Sequence, residues 1–234
     1  MFKKSPILKY ESSLEEYPNS ILPSKKFIPD WYKKIPQWKN GFFLNNDEQL
    51  QKTVKQCMPF FDSLSIGYMV VLPNDIYVKI ENETPYVMWS HTVGGRTPIA
   101  RHESAELKIV PAGHYEREFI WTFHASFTLP KGYSAILSHP LNRHDLPFTT
   151  FSGVIDGGLI TDPNGSIPFY IKKGFEGLIP QGTPIAQLIP FRQENWKSKK
   201  TPGLVKLGQI HANSSLLVFK GFYKKTFWTK KQYD

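Results

Sequence analysis

A single cysteine, Cys57, stands among 234 residues. That excludes an intrachain disulfide framework and any zinc cluster built on cysteines, and it suits a reducing compartment. No apolar run reaches the roughly 18 residues that a spanning helix needs. The opening Met1-Phe2-Lys3-Lys4-Ser5-Pro6 lacks the apolar stretch of a secretory leader. The expectation is a protein that is not secreted and has no transmembrane segment. Gly-x-x-x-x-Gly-Lys-Ser/Thr loops, nucleophile elbows, the kinase motif set and His-Glu-x-x-His are all missing. Acidic residues are scarce toward the end of the sequence: residues 192–234 hold ten basic residues against two acidic ones. Residues 1–40 hold eight against four, and the middle, 41–191, holds eleven against fourteen. The net charge of +9 therefore lives in the two ends. A nucleic-acid enzyme with a basic groove would carry such charge in its core domain as well. The ends read as solvated basic extensions, or as parts that dock on an acidic surface.

What is present is enough apolar material for a core, at 40% hydrophobic and 15% aromatic residues. Residues 1–45 read as an extended arm. Pro6, Pro18, Pro23, Pro29 and Pro36 interrupt any long helix or central strand, yet Phe27, Trp31, Tyr32 and Trp38 are too many large apolar groups for a free linker. The arm is expected to pack on the main body or on a neighbouring subunit. Residues 46–191 read as a helix and then a β domain. The helix is expected over 46–58, capped by Asn46 with Gln49 three residues on, carrying Leu50, Val54, Cys57 and Met58 on one apolar face, and stopped by Pro59. Cys57 would then be a core thiol. Strands are expected at 66–72, 76–80, 86–89, 107–110, 119–127, 135–137, 153–155, 167–171 and 185–189, separated by Pro, Gly, Asn and Asp. This spacing with almost no helix predicts an all-β sandwich or barrel. Residues 192–234 read as a basic extension. In it Leu216, Phe219, Tyr223 and Phe227 suggest an amphipathic helix capped by Asn213 or Ser214, which either packs on the β domain or lies on a membrane or partner surface.

Three segments carry a likeness. Pro130-Lys131-Gly132-Tyr133-Ser134-Ala135-Ile136-Leu137 is a turn feeding a strand, Gly153-Val154-Ile155-Asp156 is next, and Gly182-Thr183-Pro184-Ile185-Ala186-Gln187-Leu188 comes some thirty residues later. A fainter match is Ser65-Ile66-Gly67-Tyr68-Met69. In order and spacing they resemble the dUTP pyrophosphatase and dCTP deaminase superfamily, over about residues 66–191. The whole sequence also resembles an uncharacterised group of tailed-phage proteins. The likeness implies a dUTPase-like (β-clip) barrel of short, mostly antiparallel strands with an N-terminal arm and a few peripheral helices. It also implies a homotrimer with sites between subunits, Mg²⁺ as a possible cofactor, and residence in the host cytoplasm or the virion. By the same likeness Asp156 would activate water or hold a sugar hydroxyl.

Four departures argue against ordinary dUTP hydrolysis. Met69 stands where the enzymes carry the carboxylate that holds magnesium, and methionine does not ligate Mg²⁺. Ser138-His139-Pro140-Leu141-Asn142-Arg143 replaces the phosphate-binding Arg-Ser-Gly. Gly157-Gly158-Leu159 replaces the tyrosine under the sugar, and a lysine-rich aromatic tail stands where the phosphate-closing arm would be.

The densest polar cluster is 138–147. Arg143 could hold a phosphate, with His139, Asn142 and Asp145 as further ligand contacts and His144 as an acid or base beside Asp156. The plainer reading is a hydrogen-bonded structural loop. His114, Glu116 and Glu118 alternate, so one strand would project them from one face, as a divalent metal site would require. Their plainer reading is the solvent face of a strand. Gly94-Gly95-Arg96 and Gly157-Gly158 read as turns, and Trp89, Trp121, Phe123 and Phe127 read as core. Two functions from different classes are implied: a divergent phage protein that binds or processes a nucleotide or related small ligand, or a non-enzymatic virion-associated or assembly protein that uses the barrel as an oligomeric scaffold, with a viral protein partner.

Overall fold

The computed structural model describes residues 5–17, 19–39, 52–90, 92, 97–100, 109–160, 167–217 and 222–234. They form two compact units, one of Met1–Phe27, Ser65–Gln193 and Tyr233, the other of Ile28–Leu64, Glu194–Gln232 and Asp234. Strand is the dominant element, at 38% against 18% helix, in antiparallel sheets of which none is closed. The all-β expectation holds.

In the first unit a five-stranded sheet runs in the order Gly153–Asp156, Tyr133–Ser138, Pro184–Arg192, Tyr68–Val71, Ile21–Pro23. A four-stranded sheet runs Phe148–Thr150, Ile167–Lys172, His114–Trp121, Ile99–Ala100. Two three-stranded sheets complete the unit. One is Lys9–Ser12, Ala125–Thr128 and Leu159–Ile160, the other Gly177–Ile179, Ile76–Glu81 and Thr84–Trp89. The proline-rich beginning thus adds strands to two sheets. Pro23 is accommodated because Ile21–Pro23 is an edge strand, where a missing N–H need not break a ladder.

The inward faces meet in one aromatic core. Trp121 stacks on Phe169 at 3.6 Å between ring centroids, Phe148 meets Trp121 edge-on at 5.0 Å, and Phe123 packs against Phe127. The indole N–H of Trp121 donates to Thr150 Oγ1 at 3.1 Å, and that hydroxyl donates on to the Ile185 carbonyl at 2.6 Å. A buried polar tip is thereby satisfied inside an apolar core. Trp121, Phe123 and Phe127 are core as expected, and Trp89 is half-buried at the edge of the same core cluster.

Several expectations need correcting. The single strand over 119–127 is two: His114–Trp121 ends, and Ala125–Thr128 begins in another sheet, so the chain crosses between layers at 122–124. Ile109 and Val110 lie outside any strand; residues 107 and 108 fall outside the described set, as do Gly94, Gly95 and Arg96. Of the helix over 46–58, residues 46–51 are also outside it. The remainder is a short 3₁₀ turn, Val54–Gln56, capped by the Thr53 hydroxyl, and then a helix Met58–Ser65. Pro59 opens this helix instead of stopping one, because a first-turn proline forfeits no intrahelical bond. Cys57 falls between the two elements and is exposed, not a core thiol.

The second unit is held by aromatics. Tyr32, on the helix Asp30–Lys34, stacks on Phe60 at 5.9 Å, and the Lys55 ammonium lies 4.3 Å from the Tyr32 ring centroid. The Trp228 indole N–H donates to the Asp62 carboxylate at 3.0–3.1 Å, and Lys231 pairs with the same group. The C-terminal helix also differs from expectation. It runs over Leu204–Leu217, so Asn213 and Ser214 are interior and not caps; Tyr223 lies in the helix Phe222–Thr226, and Phe219 falls outside the described residues. The start is set by Pro202-Gly203, where Gly203 takes φ +84° and its carbonyl receives the Leu207 N–H.

Candidate functional site

The three segments that carry the likeness are neighbours in one sheet. The strand Tyr133–Ser138 lies between Gly153–Asp156 and Pro184–Arg192, with Asp156 opposite Ser134 and Gln187 opposite Ser138. The register fixes where the candidate residues stand. Asp156 is at one end of the strand Tyr133–Ser138, and the loop holding His139, Asn142, Arg143, His144 and Asp145 leaves from the other. Four residues of strand separate the ends, about 13 Å. A single copy therefore does not gather Asp156 and Arg143 into one site.

The loop itself is tied down. The Arg143 guanidinium makes a two-pronged contact with Asp145, Nε at 2.9 and 3.2 Å and Nη2 at 2.9 Å, and Nη1 donates to the Phe27 carbonyl at 3.3 Å. Its side chain is only 11% exposed. His139 Nδ1 accepts the Thr150 N–H at 3.3 Å, so Nε2 carries the proton and donates to the Arg143 carbonyl at 3.1 Å. Burial, with smaller contributions from nearby positive charges, pushes the imidazole down to about 4, so it is neutral at pH 7 and not poised for proton transfer. The Lys172 ammonium donates to the His144 carbonyl at 2.7 Å. Asn142 takes φ +58°, a left-handed turn that asparagine tolerates. What the loop presents to solvent is the exposed His144 and the outer side of Asp145.

Asp156 is exposed, and its Oδ1 accepts from the buried Ser134 hydroxyl at 2.8 Å. Gln193 Nε2 donates to Ser134 Oγ at 2.8 Å and reaches Asp156 Oδ1 at 3.5 Å. The carboxylate is thus oriented on a rigid strand end and can accept a hydroxyl or a water. The glycine after it has a steric reason: a Cβ on Gly157 would stand 2.6 Å from the Tyr133 carbonyl oxygen, so a tyrosine does not fit at this backbone position.

His114, Glu116 and Glu118 do share a strand, but they are not one ligand set. His114 Nε2 contacts Thr149 Oγ1 at 2.8 Å and Nδ1 contacts the Ala112 carbonyl at 3.1 Å. Glu116 is exposed, whereas Glu118 is buried and accepts from the Tyr170 hydroxyl at 3.0 Å. Burial and that carboxylate push the Tyr170 phenol up to about 12. His124 lies beyond the strand. Among the described residues no group of three His, Cys, Asp or Glu side chains could hold a metal ion. Nor do the residues fit magnesium where the likeness puts it. Met69 is buried at 1% exposure, Asp75 accepts the Gln181 N–H, and Asp62 holds Trp228 and Lys231.

Gln187 was missed as a positioning residue. It is fully buried, its Oε1 accepts the Leu141 N–H at 2.8 Å, and its Nε2 donates to the Ile66 carbonyl at 2.7 Å. It clasps the 139–147 loop to the turn before Tyr68. An amide inside the apolar run 184–189 was the available signal, since a buried side chain of that kind needs partners. Compared with known proteins, the chain matches no family model and no curated sequence.

Proposed function

We propose that this protein is a non-enzymatic assembly protein, a divergent dUTPase-like β scaffold that works as an oligomer in the host cytoplasm or the virion. The observation that carries the reading is the consumption of the 139–145 loop by its own contacts, with Asp156 at the far end of the intervening strand. A loop filled in this way is a structural clasp. The adjacency of the three likeness-bearing strands supports a β-clip barrel. Association between copies is supported by the outer face of the five-stranded sheet, where Val154, its cross-strand partner Ile136 and nearby Phe191 are 66%, 38% and 38% exposed. The trimer is the assembly the likeness implies.

A second reading rests on the exposed, doubly oriented Asp156. Across a subunit boundary it could meet His144 and Asn142 of another copy and bind a nucleotide. A turnover and binding screen of nucleoside mono- and triphosphates, with Mg²⁺ or Mn²⁺ and an Asp156→Ala control, decides between them. The scaffold reading expects no pyrophosphate or ammonia release and no saturable binding. Binding or turnover that Asp156→Ala removes would establish the second reading instead.

A further inference from the structure

The segment after the last strand of the five-stranded sheet has an unusual exposure pattern. Residues 194–203 are all exposed, and Trp196 is 86% exposed. Lys197, Lys199 and Lys200 come after it, and among the described residues no side-chain hydrogen bond, ion pair or ring contact engages these four groups. The helix Leu204–Leu217 comes next, with Leu204, Val205, Leu207 and Ile210 at 60%, 78%, 56% and 55% exposure. At about 100° per residue, Leu204, Leu207, Ile210 and Val205 spread over one broad arc, and Lys206, Gln209 and Asn213 fall on the opposite side. Large apolar groups in a row at such exposure call for something to cover them.

We infer that residues 196–213 bind the surface of an anionic lipid bilayer: the apolar arc of the helix and the Trp196 indole enter the headgroup region, and Lys197, Lys199 and Lys200 meet the lipid phosphates. One further fact selects this occupant: no acidic residue occurs between Glu194 and Asp234, so nothing in the segment repels a negative surface. Lysine stems can run along the apolar layer and keep their charges at the phosphates, and tryptophan prefers that boundary. A single nucleic-acid strand would use the tryptophan and lysines but leave Leu204, Val205 and Leu207 uncovered.

The test is flotation of the full chain with vesicles of phosphatidylcholine alone, or with roughly a third phosphatidylglycerol, at low and high salt. The expected result is flotation with the anionic vesicles at low salt, weakened by salt, and none with the neutral ones. Both the pair Leu204→Gln/Leu207→Gln and the triple Lys197→Gln/Lys199→Gln/Lys200→Gln should reduce partitioning about tenfold. All five side chains are exposed, so thermal melts of these variants should match the parent. No flotation with anionic vesicles at low salt overturns the proposal. So does flotation that the leucine pair leaves unchanged, which would reduce the element to a general polyanion site. Displacement from vesicles by a single-stranded oligonucleotide whose binding is insensitive to the leucine pair would assign the segment to nucleic acid, and equally overturn it.

Discussion

Gly67→Ala should destabilise the first unit by at least about 4 kcal/mol, among the larger effects of a single substitution. Gly67 takes φ +70°, where an L side chain costs about 1–2 kcal/mol. The larger part comes from the close approach of two backbones. A Cβ at this position would stand 2.2 Å from the Leu188 carbonyl oxygen and 3.1 Å from the Ile189 Cα. Neither atom can swing away, because Leu188 is paired on both sides, to Tyr68 and to Leu137. Gly113→Ala is the matched control: φ is +78° and no atom lies within 4 Å of its added Cβ. Urea unfolding of the two variants separates the conformational cost from the clash. Equal losses in both would contradict the packing described for the turn.

Acidification supplies the second large effect. The folded-state value of His139, about 4, lies below the ordinary 6.5 of an imidazole. The fold therefore favours the neutral ring. The stabilisation is complete above pH 6.5, is lost progressively as pH falls from there to about 4, and stays lost below. The difference corresponds to about 3 kcal/mol. Protonation also converts Nδ1 from the acceptor of the Thr150 N–H into a donor facing it. Unfolding free energies between pH 7.5 and 4 should fall more steeply in the parent than in His139→Asn, which has nothing to titrate there. Parallel curves would mean that the ring is not buried in its neutral form.

Much of this architecture was legible because strand signals are local. The β-rich runs at 76–80 and 167–171, bounded by turn residues such as Pro73-Asn74-Asp75, lead to strands at Ile76–Glu81 and Ile167–Lys172. The failures came where long-range pairing decides. The aromatic-rich stretch 119–127 reads locally as one strand, and its Thr122 and His124 are as compatible with a strand as with the crossover from one sheet to another that they occupy. Pro59 is equally compatible with ending one helix and beginning the next, so its meaning depended on what Thr53 caps. The polar cluster at 138–147 was visible, but its role was not. Residue types alone do not tell an arginine awaiting a phosphate from one already bound to Asp145 and the Phe27 carbonyl, a partner 116 residues away. Gln187 was hidden in the same way, inside a motif read as core.

The central claim is that the 139–145 loop is a structural clasp, and Arg143→Gln tests it most directly when unfolding and nucleotide binding are measured on the same sample. The guanidinium is nearly buried, so the variant removes the two-pronged contact to Asp145 and the hydrogen bond to the Phe27 carbonyl. The clasp predicts a loss of about 2 kcal/mol in urea unfolding, with no nucleotide binding before or after the change. Unchanged stability together with loss of a saturable nucleotide signal present in the parent would contradict it, and would make Arg143 a phosphate ligand.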